Sequence, residues 1–324
     1  MNKRTAKRLK VQAVAPGWKI GRSDLIGAEK FLRATETELV YTPEFCRGDF
    51  VFAQTAEFRA KDLARALSQK SIDAVWCVRG GSGTQDTLPL LPRRKQKQDR
   101  HLLGLSDITA LHIFLAQQWG WQTLHAPVLA RVGGGRATKN EVQETFEMLR
   151  NERSHICFEG LRPLNKTALR LKKQIKGRVI GGNLCVLEAL LGTPFQAKTR
   201  GKVLFLEEVH ERGYRIMRSL THLQQAGAFK GVKAVVWGDV TGGDEADGSN
   251  HAWTAVQKFF ADLDVPAFRG IQSGHGDVQR PLPLNTPAKL VAGAGKKNRV
   301  FTLEVQAPQF GKPRGRKHKA SGPA

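Results

Sequence analysis

A serine, a histidine and a carboxylate are the side chains that together carry out acyl transfer, and this sequence sets all three where apolar runs give way to turns. Ser106 stands in Gly104-Leu105-Ser106-Asp107-Ile108, between an apolar run and a segment of helical period. A strand-to-helix corner exposes a side-chain oxygen at a sheet edge, as a nucleophile elbow does, although the final glycine of G-x-S-x-G is missing here. Serine in that place also caps helices, and the two roles are compatible. The N–H of Asp107 falls in the first turn of the expected helix. With an amide of the turn Arg79-Gly80-Gly81-Ser82-Gly83, it could cradle a tetrahedral oxyanion. A glycine turn of this kind equally serves as a plain tight turn.

A serine nucleophile needs a base, and the chain has nine histidines. His275 lies in Ser273-Gly274-His275-Gly276, just after an apolar run ending at Ile271, and its flanking glycines permit close approach of another segment. His125, before Ala126-Pro127, is the second choice. His112 lies inside the helix expected after Ser106, which carries it away from the serine, and His318 is in the tail. Each of these, taken singly, also reads as structural. The orienting carboxylate is sought in Lys202-Val203-Leu204-Phe205-Leu206-Glu207-Glu208, two acids at the end of an apolar strand. Adjacent strand residues face opposite sides. This run is apolar on both faces, so alternation does not choose between Glu207 and Glu208, and two ordinary exposed acids remain open.

The frame these residues need is an α/β one. Residues 11–15 read as a strand ended by Pro16-Gly17, and 24–35 as a helix with Leu25, Ala28, Phe31 and Leu32 at helical spacing. Residues 38–42 form a second strand and 55–68 a second helix. Residues 72–78 and 102–105 are continuous apolar runs suited to buried parallel strands. A helix over 107–119, a strand over 123–125 and a helix over 139–151, opened by a capping box from Thr138 to Glu141, complete the first half. The alternation predicts a mostly parallel sheet flanked by helices, with ligands at the carboxyl ends of the strands. Residues 160–176 are polar, basic and without clear period, so the domain junction is placed there, with an N-terminal domain over 1–160 and a C-terminal one over 161–310. Strands at 203–206, 234–237, 267–271 and 299–305, with helices at 184–191, 217–225 and 253–263, predict a smaller mixed α/β second domain.

Composition bounds the rest. At 324 residues, 40% hydrophobic and 25% charged, the chain has ample core without disulfide or metal staples. Cys46, Cys77, Cys157 and Cys185 form no C-x-x-C pair, which argues for small buried thiols. No apolar run reaches membrane-span length, and 11–15 is too short for a signal-peptide core, so a cytoplasmic location is expected. The net charge of +23 implies attraction to polyanions. Much of it lies in the first ten residues, in a loop at 93–100 and in a basic tail at 311–324 that is expected to be disordered. No zinc finger, RRM signature or basic-region heptad marks a nucleic-acid module.

Taken in order, these segments resemble the LD-carboxypeptidase family of serine peptidases over nearly the whole chain. Val14-Ala15-Pro16 is similar to the family's first strand, and Trp76-Cys77-Val78-Arg79-Gly80-Gly81-Ser82-Gly83 to its Arg-Gly-Gly-Tyr-Gly segment. Gly104-Leu105-Ser106-Asp107-Ile108 resembles the nucleophile segment, and Gly181-Gly182-Asn183-Leu184 with Leu191-Gly192-Thr193-Pro194 the second-domain signature. Leu204-Phe205-Leu206-Glu207-Glu208 and Gly274-His275-Gly276 stand where the family keeps its Glu and His. The resemblance implies Ser106 as nucleophile, His275 as base and Glu207 as its orienting acid. It implies an oxyanion hole from the amides of Gly81 and Asp107, and substrate contacts at Ser82 and Asn183. It further implies release of terminal D-alanine from murein tetrapeptides without metal or cofactor, by a homodimer with its site between two domains. Ser82 for the family's tyrosine, Asp86 where arginine is common and Met217 where Asp is frequent are departures that bear on substrate preference. Two other readings stand beside this one: a microcin C immunity-type amidase acting on a peptidyl-nucleotide, and a non-catalytic protein that binds polyanions weakly through its basic tails.

Overall fold

The computed structural model describes residues 8–48, 50–293 and 299–310. The tail at 311–324, and Lys3, Arg4 and Lys7 at the start, lie outside them. Along the first half run β1 (Leu9–Val14), α1 (Arg22–Ala34), β2 (Thr37–Val40), α2 (Ala56–Ser68), β3 (Ala74–Cys77), α3 (Thr84–Thr87), β4 (His101–Gly104), α4 (Thr109–Phe114), β5 (Thr123–His125), α5 (Leu129–Gly133) and α6 (Lys139–Leu149). The second half follows with β6 (His155–Pro163), α7 (Lys166–Leu169), β7 (Ile175–Asn183), α8 (Leu184–Ala189), β8 (Val203–Val209), α9 (Gly213–Gln225), β9 (Ala234–Thr241), α10 (Ala252–Ala261), β10 (Ala267–Arg269), β11 (Leu282–Leu284), β12 (Pro287–Ala292) and β13 (Phe301–Gln306).

The α/β class read from the sequence is the one observed. The first sheet has the order β11-β5-β4-β3-β1-β2. Strands β1 to β5 are parallel, and β11 joins antiparallel to β5. Its inner strands β3, β4 and β5 are buried along their whole length because both faces are covered. Val11, Ala13, Trp76 and Leu103 pack towards α1, α5 and α6, while Val14, Val75, Cys77 and Leu102 pack towards α2 and α4. Thr55 caps α2 through the Phe58 N–H, and Thr138 with Glu141 closes the capping box of α6.

The second half, expected as a smaller mixed α/β unit, closes its strands into a barrel in the order β10-β6-β13-β12-β7-β8-β9. Strand β8 shows why its apolar run has no alternation. Val203 and Phe205 point into the barrel beside Phe158, Phe268 and Phe301, whereas Leu204 and Leu206 point out against α8, α9 and α10. Each such side chain contributes roughly 1.5–3 kcal/mol when fully buried. A handful of them therefore offsets the several kcal/mol that burying one carboxylate, such as Glu207, costs.

Three local readings change. The stretch 160–176 begins inside β6, which pairs with β13 and β10. A register shift there sets Phe158 and Leu161, three residues apart, against Leu303 and Phe301, two apart, so the period of two is broken. The helix expected over 107–119 is a tight turn at Ser106–Ile108, then α4, then a wide turn at Leu115–Trp119 closed by Gly120. The basic loop at 93–100 is not wholly solvated. The Arg100 side chain is 2% exposed and donates to the carbonyls of Ala66 and Gln69. All four cysteines are free, Cys77 buried and the others half-buried.

Candidate active site

Ser106 follows β4 by two residues and has φ +67°. A non-glycine residue held there costs about 1–3 kcal/mol, a strain that clusters at functional sites. The corner therefore has an elbow's backbone without the final glycine of the motif. Gly80 makes room for it, because a methyl group at that position would lie 2.7 Å from the Ser106 Cβ. Ile108 N–H donates to Leu105 O, so the Asp107 amide stands ahead of the first turn's bonding. The Asp107 carboxylate is engaged elsewhere, where it accepts the Thr84 N–H at 2.9 Å and ties the serine corner to the glycine turn. Burial pushes that carboxyl upward, against the Thr84 hydrogen bonds that lower it. Gly81, at φ +101°, packs against the Trp18 ring, over which the Arg79 guanidinium sits at 5.1 Å. Ser82 is exposed on the same turn.

His275 and Glu207 form a hydrogen-bonded pair, with Nδ1 of His275 2.7 Å from Glu207 Oε2. Glu207 is fully buried and His275 is 20% exposed. Burial pulls the imidazole pKa down, but Glu207, with smaller help from Glu208 and Asp239, outweighs it and the net shift is upward. The second-choice histidine, His125, lies on the other side of Glu207, its Nε2 3.9 Å from Oε1, too far for a hydrogen bond. Its Nδ1 meets Ser273 Oγ at 3.1 Å, and full burial holds it neutral. His112 is spent on the Gly104 carbonyl at 2.9 Å.

Those contacts bring the loop 273–276 over the end of the first sheet. His125 pairs in register with Gly104, two residues before Ser106. On leaving the loop, the chain enters β11 and pairs with β5. Ser106 Oγ makes no hydrogen bond among the described residues, so the structure pairs Glu207 with His275 and gives the serine no partner. Catalytic hydrogen bonds are often long before substrate binds.

Asp239 was not singled out in the sequence. A bulge between β8 and β9 sets Gly238 and Asp239 opposite Glu207. Asp239 N–H donates to the Ser273 carbonyl at 3.3 Å, and its Oδ2 accepts the Gly276 N–H at 3.1 Å, so this residue brackets the histidine loop. Only glycine fits at 276, where a methyl group would lie 2.5 Å from the Asp239 carboxyl carbon. Burial raises the Asp239 carboxyl to about 6.

Glu208 faces the other way and accepts from Asn183 Nδ2, Cys185 N–H and Val209 N–H at 2.8–2.9 Å. Asn183 is 4% exposed, caps α8 through the Val186 N–H, and gives its own N–H to Thr109 Oγ1. Its side chain thus serves the helix cap and Glu208, which leaves one amide hydrogen for any substrate contact.

Two family models match the chain. Residues 11–126 match the LD-carboxypeptidase N-terminal domain, and residues 176–290 the LD-carboxypeptidase C-terminal domain. A putative carboxypeptidase of Rickettsia conorii is 36% identical over 250 residues, covering 76% of this chain and 77% of the relative. The murein tetrapeptide carboxypeptidase of Pseudomonas aeruginosa is 30% identical over 243 residues, covering 74% of this chain and 78% of its own. Among solved structures, a muramoyltetrapeptide carboxypeptidase from Oxalobacter formigenes superposes with a TM-score of 0.78 at 23% identity, over 91% of this chain and 98% of that one. The microcin C7 self-immunity protein shares the fold at a TM-score of 0.76 and 18% identity, over 94% and 97% of the two chains.

Proposed function

Because this chain belongs to the LD-carboxypeptidase family, we propose that it is a serine carboxypeptidase that hydrolyses an L,D-peptide bond and releases terminal D-alanine from murein tetrapeptides. The observation that carries the reading is the 2.7 Å pair of His275 and buried Glu207, taken together with the strained strand-end corner of Ser106. His275 takes the Ser106 proton as the oxygen attacks the scissile carbonyl. Glu207 fixes the tautomer with the proton on Nδ1 and stabilises the imidazolium that forms. The amides of Gly81 and Asp107 receive the oxyanion. The imidazolium then protonates the leaving amine, and water resolves the acyl-enzyme. By the family resemblance the proposal extends to a homodimer working in the cytoplasm. Among the described residues no helix is long and apolar enough to cross a membrane. Mass spectrometry of a murein tetrapeptide after incubation tests the reading. Loss of one D-alanine is expected, and an intact tetrapeptide beside a hydrolysed peptidyl-nucleotide would transfer the site to amidase chemistry.

Polyanion binding is a second reading, favoured by one feature. Residues 166–178, 198–202 and 230–233 carry eleven Lys and Arg and not one Asp or Glu. The barrel gathers them at the amino ends of β7, β8 and β9, away from Glu207. Lys173, Lys176 and Lys233 line a cavity of about 710 Å³ there. Burial, then Arg178 and Lys233, lower the Lys202 pKa, as expected where cations crowd without counter-charge. Replacing Lys173 and Lys233 by Glu is expected to weaken oligonucleotide binding at low salt by about tenfold or more, without changing peptide turnover. Binding that survives the change would remove this face from consideration.

A further inference from the structure

The barrel rim carries two arginines that no acid among the described residues neutralises. Arg162 on β6 and Arg269 on β10 are direct partners in an antiparallel pair, so their side chains leave the same face as neighbours. Like charges so placed repel each other. Among the described residues neither guanidinium has an acidic partner, and Arg269 only stacks over the Trp253 ring at 5.7 Å. Both line one cavity of about 330 Å³ with Trp253 and Gln272. Two planar forks lining one concave space suit the oxygens of a carboxylate. The indole beside them offers a face for the aliphatic part of a ligand.

This cavity shares a wall with the histidine loop. Asp239 and Gln272 line it. Gln272 is three residues before His275, and Asp239 holds the Gly276 N–H. Asp239 is the one acid among the lining residues, and one of its oxygens is turned to that amide. An anion seated between the arginines would therefore lie next to the segment that positions His275, and would relieve the repulsion across the strand pair.

We infer that Arg162 and Arg269 form a carboxylate-binding subsite, which holds an acidic group of the peptide substrate remote from the bond that is cut. The link to turnover rests on the peptidase reading above, whereas the binding of a carboxylate does not.

The test uses the full chain and the variants Arg162→Gln, Arg269→Gln and their combination. Each is assayed on a murein tetrapeptide and on the same peptide with its remote carboxylates amidated. On the acidic peptide the double variant is expected to raise KM about tenfold or more with kcat within about twofold, the mark of lost ground-state binding. On the amidated peptide the wild type and the double variant should differ little. An unchanged KM on the acidic peptide, or equal losses on both peptides, overturns the subsite. In parallel, glutarate is titrated calorimetrically into the wild type and the double variant, with circular dichroism to check folding. Saturable heat that the double variant loses supports the inference, and a wild type that binds no glutarate overturns it. If the wild type cleaves no tetrapeptide at all, the peptidase reading fails and the calorimetric arm alone decides the subsite.

Discussion

Changing Ser106 to alanine will abolish release of D-alanine from a murein tetrapeptide while the protein keeps its fold. The Oγ makes no hydrogen bond among the described residues, so its removal leaves no buried partner unsatisfied. The Cβ that Gly80 accommodates stays in place, and alanine meets the same backbone strain at φ +67° as serine does. Stability should therefore change by less than about 1 kcal/mol, readable as a small shift in thermal unfolding. Turnover should fall by at least about a thousandfold, because the neighbouring carboxylate, Asp107, is engaged with the Thr84 N–H and does not replace the lost hydroxyl. Residual activity within about tenfold of the parent, a barrier change of only about 1.4 kcal/mol, would mean that another group or water attacks. Measuring both quantities on one preparation separates a lost nucleophile from a lost fold.

The parts of this architecture that could be read directly are those in which a single residue type answers a single demand. Apolar runs at 72–78 and 102–105 suited buried strands, and they contain most of β3 and β4. Thr138 with Glu141 announced a helix start, and α6 begins there. Barrel closure was harder to see, because it depends on β12 reaching both β7 and β13, a long-range pairing that leaves no local period. Strand β6 hid its alternation behind a register shift. At the candidate site, Ser106 and His275 were visible as polar residues set at strand ends among glycines. Asp239 gave no such signal. It sits mid-strand in Trp237-Gly238-Asp239-Val240, and only the bulge opposite Glu207 turns it towards the histidine loop. The Asp107 side chain was likewise overlooked, since its partner, the Thr84 amide, is 23 residues away in sequence.

The strongest discrimination available lies between two adjacent acids. Glu207→Gln is expected to cost roughly a hundredfold or more in turnover, and Glu208→Gln far less; the equivalent change in a chymotrypsin-type triad costs about ten-thousandfold. Alternation on β8 sends the two side chains to opposite faces. Glu207 meets His275, whereas Glu208 meets Asn183 and the start of α8. Glutamine at 207 keeps the shape but removes the charge that stabilises an imidazolium, and its amide can present an N–H where the ring also has one. The pH profile gives a second readout with a definite sign. Burial alone would lower the His275 pKa, and the carboxylates, Glu207 first, carry it above its ordinary 6.5. A general base works when neutral, so parental activity should be lost as pH falls through a value above 6.5. Without the Glu207 charge, burial regains weight and the acid limb of kcat/KM should move to lower pH, even as the plateau falls. At Glu208, a neutral amide cannot accept all three N–H donors that the carboxylate now holds. The cost there should appear as about 1–3 kcal/mol of stability rather than as lost chemistry. If Glu208→Gln instead proves to be the crippled enzyme, with Glu207→Gln merely less stable, the roles of the two faces of β8 must be exchanged and His275 must find its partner elsewhere.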